Sequence, residues 1–378
     1  MVQVLDTTLR EGEQTPGVYF PSHAKLAIAT ALDEMGVSYI EAGHPRVSPN
    51  IEKAVRRLCK QNYTAKVAAH SRSVKSDVDL ALDCGVDFLG IFYCVSADRL
   101  TGVFKRDLKT AIDQIADIVA YAKEQKPELI VRYTPEDTVR SGFKNVVDAA
   151  RGAVEAGANI ISIADTTGYM IPNQRSLYDY VLKLRDALAD LDKPPLLAVH
   201  CHNDRGLALA NALDAYRAGI DIIDTTVLGL GERAGLVDLA QMVTLLTADF
   251  AETYWNLKAL PQVYKVVSTY CRIPIPPTQP IVGQNAFTHC AGVHTNAATK
   301  NAVHYQSLDP ALVGREMRVS LDHMSGLSSV QYALENIGEE IEDKELVFSI
   351  LAQVKRVGEE GRTVGPHELK DIINFFRQ

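Results

Sequence analysis

Long hydrophobic runs are missing from this 378-residue chain. Its apolar stretches fall far short of the roughly 18 residues that a membrane span needs. The N-terminal segment, MVQVLDTTLREGEQ, has neither a basic n-region nor an apolar h-region, so no signal peptide is expected. The cysteines at 59, 84, 94, 201, 271 and 290 form no CxxC pair. A zinc knuckle is therefore unsupported, and a chain this long needs no disulfide staples. They read as reduced thiols of a cytoplasmic protein. Positive charge is in deficit as well: 39 Lys and Arg against 47 Asp and Glu leave a net −8. That removes the bulk electrostatic case for a nucleic-acid partner, although a local cationic patch for an anionic cofactor stays open. Repeats and low-complexity tracts are absent. With 47% hydrophobic and 23% charged residues, the chain is neither largely disordered nor a coiled-coil rod.

What is present is an alternation. Short β-branched runs occur at 2–5, 39–42, 65–69, 88–92, 129–133, 160–163, 196–200 and 222–226. Amphipathic stretches of about 10 to 18 residues separate them, as βα units require. Residues 24–35, for instance, put Leu26, Ala29, Ala31 and Leu32 on one stripe. A last helical pattern covers 237–251. Eight βα units in about 250 residues predict an α/β fold of the (β/α)8 TIM-barrel type. A doubly wound open sheet is the runner-up and fits less well, because the first turn is not Gly-rich. The barrel is assigned to 1–252. Residues 253–378 form a linker and a mostly helical appendage, with the Pro-rich RIPIPPTQP at 272–280 and helices near 326–337, 343–357 and 366–376. The appendage is too short for a second large catalytic domain and too small to bury its own core well.

A TIM barrel carries its chemistry where strands end, and polar residues collect at those positions. Asp6, Arg10 and Glu11 follow the first strand, His44 the second and His70 the third. Arg132, Thr134 and Glu136 mark the fifth, Asp165 and Thr166 the sixth, His200 and His202 the seventh. Glu232 and Arg233 lie beyond the eighth.

His200-Cys201-His202 is the clearest metal signal. Residues two apart on a strand point the same way, so both imidazoles can face one ion. Glu11 is the best candidate for the carboxylate of a two-His, one-carboxylate set. Taken alone, such a pair of histidines is as often structural as metal-binding. Likewise, Arg10 beside Glu11 could pair with a substrate carboxylate and an enolate oxygen, or could belong to a solvated charged loop.

Together, DTTLREGEQ, the HCHND run and GLGERAG resemble the signatures of the DRE-TIM metallolyases. Within them the chain is most similar to the Claisen-condensing branch of isopropylmalate, citramalate and homocitrate synthases. The resemblance covers essentially the whole chain, including FTHCAGVH and SLDPALVG in the appendage. It implies a divalent metal (Mg, Mn, Co or Zn) held by Glu11, His200 and His202, with Asp6 hydrogen-bonded to a ligand or to Arg10. It implies a 2-oxo acid bound with the help of Gln14 and Thr166, acetyl-CoA as the carbon nucleophile, and Arg10 stabilising the developing alkoxide. Glu136 matches an acid of the fifth-strand motif, and Tyr305 a tyrosine of the appendage. His294 matches the base that the family takes from a partner subunit; His289 lies close by and is the alternative. The resemblance thus implies a homodimer, with Val282, Phe287 and Val293 anchoring the exchanged loop.

The similarity leans toward 2-oxoglutarate. His70 and Arg132, with the hydroxyl of Thr134, match residues that homocitrate synthases use for a distal carboxylate. Leu236 stands where isopropylmalate synthases carry asparagine. The physics agrees, because burying a second carboxylate requires a cation or several donors. The competing role for Arg132 is a structural pair with Glu136 or Asp137. For His70 it is a backbone hydrogen bond. The cysteine of HCH is unusual for the family, and His44, Arg46 and Arg72 are extra cations near the mouth.

Overall fold

The computed structural model describes residues 1–298, 300, 301 and 304–378. It divides into two compact units, Met1–Pro274 and Ile275–Gln378.

The first unit is the barrel that the alternation predicts. Strands β1 (Gln3–Asp6), β2 (Tyr39–Glu41), β3 (Lys66–Arg72), β4 (Phe88–Cys94), β5 (Ile130–Glu136), β6 (Ile160–Asp165), β7 (Leu196–Cys201) and β8 (Ile222–Thr225) close in sequence order. Every neighbouring pair is parallel, with β8 returning to β1. Parallel strands are covered on both faces and so read as near-continuous apolar runs; all six residues of β6 are buried. A helix follows each strand, from α1 (Ser22–Met35) to α8 (Leu239–Phe250).

The barrel floor is apolar. Leu5, Tyr39, Ala68, Phe88, Ile160, Ala198 and Ile222 form one buried layer, with Ile130 packed against it. That layer draws on all eight strands and leaves the opposite, C-terminal end for polar side chains. Strand alternation does the sorting: Val199 and Cys201 are fully buried in the wall, while His200 and His202 reach the cavity above the floor. Cys201 is thus a packing residue, its thiol pushed up in pKa by burial.

The boundary lies later than the expected 252/253. Helix α9 (Leu260–Cys271), assigned from sequence to the appendage, packs on α1 and belongs to the barrel unit. Its face of Val263, Tyr264 and Val267 is buried, and the Tyr264 hydroxyl accepts a hydrogen bond from the Ala240 amide at 2.8 Å. An apolar helix face of this size needs a wall to cover it, and the barrel supplies one.

The second unit corrects another expectation, for it does bury a core. Short parallel strands Thr288–His289 and Arg318–Val319 pair with each other. Gly292–Ala298 (α10) is a short helix that the sequence pattern did not predict, whereas helices Leu327–Asn336 (α11), Lys344–Glu359 (α12) and Pro366–Phe376 (α13) follow the periodicity read from sequence. Leu321, Val330, Leu334, Val347, Ile350, Val354, Leu369 and Ile373 pack into one cluster. Helices α10 and α11 meet at a glycine pair: a Cβ on Gly292 would lie 2.6 Å from the Gly326 Cα. Of the three apolar residues expected to anchor an exchanged loop, Val282 and Phe287 are already buried in the single chain, and only Val293 is exposed.

Truncating Ile350 to alanine, a fully buried side chain in this cluster, should cost about 2–5 kcal/mol. Denaturant unfolding followed by tryptophan-independent circular dichroism checks it; an unchanged midpoint would refute the packing described.

Candidate active site

Above the barrel floor the side chains form a chain of alternating charge. Arg10, in the loop after β1, donates from Nε to Glu41 Oε2 at 2.7 Å and from Nη1 to Glu11. Glu41, the last residue of β2, also accepts from the Thr7 hydroxyl at 2.5 Å and faces His70 Nδ1 at 3.2 Å. Arg132 on β5 lies with Nη2 3.8 Å from Glu41 and donates from Nη1 to both oxygens of Asp224 at 2.9 and 3.0 Å. Asp224, on β8, in turn faces His200 Nδ1 at 2.9 Å. Glu41 and Asp224 are 1% and 0% exposed. Charges so buried persist only when paired and hydrogen-bonded. Burial alone would raise the Glu41 pKa, but Arg10, His70 and Arg132 together hold it well below the usual carboxylate range.

The loop that carries Arg10 and Glu11 is pinned from behind. Lys25 of α1 is fully buried, and its Nζ donates to the Leu9 and Ala42 carbonyls at 2.6 and 2.8 Å and to Glu13 at 2.7 Å. It therefore ties the first two strand ends together.

Glu11, His200 and His202 converge, each offering a ligand atom within 4.8 Å of the others. The donor set fits a divalent ion. His200 commits Nδ1 to Asp224, which leaves Nε2 for a metal. His202 Nδ1 is buried and without a partner among the described residues. Burial works to raise the Glu11 pKa, yet Arg10, His200 and His202 carry it below its ordinary value. Burial and the neighbouring His200 push His202 down to about 3, so it is neutral, as a ligand must be. The neighbouring loop is shaped by glycine: at Gly235 (φ +77°) a Cβ would fall 1.7 Å from the Gly229 carbonyl oxygen.

A cavity of about 470 Å³ opens over this triad. Arg10, Glu11, Gln14, His70, Arg132, Thr134, Glu136, Thr166, His200 and His202 all line it. Four buried polar atoms of lining residues have no partner among the described residues: Arg132 Nε, Thr134 Oγ1, Ser162 Oγ and His202 Nδ1. Buried polar groups are normally satisfied, so these atoms leave donors and acceptors on offer to whatever polar molecule, water included, fills the cavity. Val18, Val47 and Ile51 make one wall apolar.

Arg132 pairs with Asp224, not with Glu136 or Asp137. His70 stacks on Phe92 (4.8 Å between centroids) and faces a carboxylate instead of backbone. Glu136 pairs with Arg99 at 2.6 Å. Gln14 turns its amide nitrogen to both oxygens of Glu11, and Thr166 Oγ1 accepts from the Asp137 amide at 3.0 Å. His44, Arg46 and Arg72 share one partner, Asp77, which accounts for the extra cations. Asp6 departs from expectation: its Oδ1 accepts from the Thr8 amide, and it contacts neither a metal ligand nor Arg10. Burial pushes its pKa up to about 7. Asp165 caps the loop after β6 through the Tyr169 and Met170 amides, and Arg233 pairs with Asp204. In the second unit, His294 lies against Tyr305 with 4.3 Å between ring centroids and the ring planes tilted by 32°. The alternative, His289, holds the Gln306 amide at 3.1 Å.

Glu41 and Asp224 escaped the sequence reading, which looked to His44 and Glu232 at those strand ends. The available signal was a lone acid inside an otherwise apolar strand, YIE and IIDT.

A family profile described as HMGL-like matches residues 1–267, and one described as homocitrate synthase post-HMGL domain-like matches 281–362. The chain belongs to the HMGL-like family. It is 43% identical to a homocitrate synthase of Pyrococcus abyssi, over 93% of this chain and 94% of that one. It is 35% identical to a 2-isopropylmalate synthase of Methanocaldococcus jannaschii, over 98% of this chain and 71% of that one. Among solved structures, hydroxymethylglutaryl-CoA lyase from Pseudomonas aeruginosa matches in fold, with a TM-score of 0.60, 22% identity, and coverage of 71% of this chain and 92% of that one. No helix among the described residues is long and apolar enough to cross a membrane.

Burial, with Arg10 second, pushes the His70 pKa down to about 4. Between pH 6.5 and about 4 the unfolded chain then binds a proton that the folded one refuses, so stability falls as pH falls through that window. At about 1.4 kcal/mol per pKa unit the loss approaches ~3 kcal/mol. Replacing His70 by Gln should flatten this part of the stability profile in denaturant titrations; an unaltered slope would sink the assignment.

Proposed function

We propose that this protein is an acyltransferase that condenses acetyl-CoA with a 2-oxo acid, 2-oxoglutarate by preference, giving homocitrate and CoA. The observation that carries the reading is the cavity itself: its lining combines a fitted metal triad with His70 and with buried Arg132 Nε and Thr134 Oγ1, which have no partner among the described residues. Similarity to homocitrate synthases over nearly the whole chain supports the same conclusion.

Glu11, His200 and His202 would hold the divalent ion. Bound there, it supplies Lewis acidity to the 2-oxo group. Arg10 lies beside Glu11 and offers a fixed positive charge to the oxygen that becomes an alkoxide. His294, whose ring is exposed beside Tyr305, takes a proton from the thioester methyl. The carbanion carbon attacks the ketone carbon, and the ketone oxygen gains the electron pair. Water then cleaves the thioester, releasing CoA thiol and leaving a third carboxylate on the product. Gln14 and Thr166 position the substrate, and Glu136 serves as the acid group of the fifth strand. His294 is favoured over His289 because the latter is engaged by Gln306.

A second reading, a 2-alkylmalate synthase acting on a branched or short 2-oxo acid, draws on the apolar wall of Val18, Val47 and Ile51. Thiol release with a panel of 2-oxo acids separates the two. 2-Oxoglutarate should lead, and Arg132→Met should weaken it by ~2–5 kcal/mol while sparing 2-oxoisovalerate. Outright preference for 2-oxoisovalerate or pyruvate hands the assignment to the second reading.

The assembly proposed is a homodimer in which His294 and Tyr305 serve the partner's cavity, with Val293 in the contact. Mixing inactive His200→Ala and His294→Ala proteins under subunit exchange should restore part of the activity. Heterodimers that form yet stay inactive would refute catalysis in trans.

A further inference from the structure

Asp224 is fully buried on β8 and lies outside the cavity lining, yet it touches two residues that line it. Its Oδ2 receives both Arg132 Nη1 at 3.0 Å and His200 Nδ1 at 2.9 Å. We propose that Asp224 is a positioning residue that couples the metal triad to the distal end of the substrate cavity. The substrate half of this proposal rests on the function proposed above.

Hydrogen-bond valence dictates the coupling. His200 Nδ1 carries its proton toward Asp224, which fixes the tautomer that leaves Nε2 free for a metal. The same carboxylate orients the Arg132 fork, so that Nε stays unpartnered among the described residues. A carboxylate shared by two donors is a divided resource. Whatever draws positive charge from Asp224 on the arginine side leaves more negative charge facing the imidazole, and the metal is then held more tightly. By linkage the effect is reciprocal. A substrate carboxylate docking on Arg132 therefore strengthens metal binding from a distance, with no contact to the ion.

Metal affinity measured by competition with a chelating indicator, together with calorimetric affinities for a 2-oxo dicarboxylate and a 2-oxo monocarboxylate, tests this. Asp224→Asn should raise the metal Kd by about 10–100-fold and erode the preference for the dicarboxylate. Arg132→Met should erode the same preference but lower the metal Kd, because Asp224 is left unneutralised. Asp214→Asn, at a buried aspartate that holds Ser176 and the Tyr178 amide, should cost stability and move neither affinity. If Asp224→Asn does not fold, Asp224→Glu is measured instead, with smaller shifts in the same directions. An unchanged metal Kd in the Asp224 variant, or a metal Kd that rises in Arg132→Met, overturns the proposal. Loss of dicarboxylate preference in Arg132→Met but not in the Asp224 variant also overturns it, while leaving the function reading intact. Preference retained in both variants overturns the function reading and the substrate half together.

Discussion

Everything in the upper half of the barrel depends on keeping charge inside a closed sheet. Arg10 and Arg132 sit among Glu11, Glu41 and Asp224, each carboxylate shared between donors. With His70 neutral, three carboxylates oppose two guanidiniums, and the network carries one negative charge in excess. In a low-dielectric interior such an excess is costly unless a cation completes the set. A divalent ion at Glu11, His200 and His202 would turn the excess positive and make the cavity receptive to an organic anion. The same network would repel that anion before the ion arrived.

The apolar floor sets the height of this network. Phe88 belongs to the buried layer, and the Arg132 guanidinium stands over its ring at 5.7 Å. The arginine therefore has a hydrocarbon and aromatic base beneath it and carboxylates on either side. Its position is fixed by packing as much as by charge, which gives this cavity-lining side chain a defined geometry.

Much of this was legible in the sequence. The eight strand runs and the pair of histidines two residues apart follow from periodicity, and periodicity survives folding because the barrel buries both faces of each strand. The pairing partners did not show. Glu41 and Asp224 lie on strands that meet Arg132 only through barrel closure, and no local pattern encodes which strand faces which across the interior. Asp224 is 92 residues from Arg132 along the chain. The segment that forms helix α9 was placed in the appendage for a related reason: nothing local in its sequence says which unit it packs on. The second unit was underestimated because its core is assembled from three helices and the bridged pair Leu321 and Val364, each weak alone.

The glycine contact between α10 and α11 bears on how firmly the second unit holds the His294 imidazole. His294 lies two residues after Gly292, on a short helix pressed backbone to backbone against the start of α11. With no side chain between them, the two helices have no cushion to slide on, and Ser328 adds a hydrogen bond to the Gly292 carbonyl at 2.9 Å. The imidazole is accordingly carried by a framework, not by a loop tip. Its orientation within the second unit is set by the helix pair, so a side chain added at Gly292 or Gly326 would turn the ring as surely as a change at His294 itself.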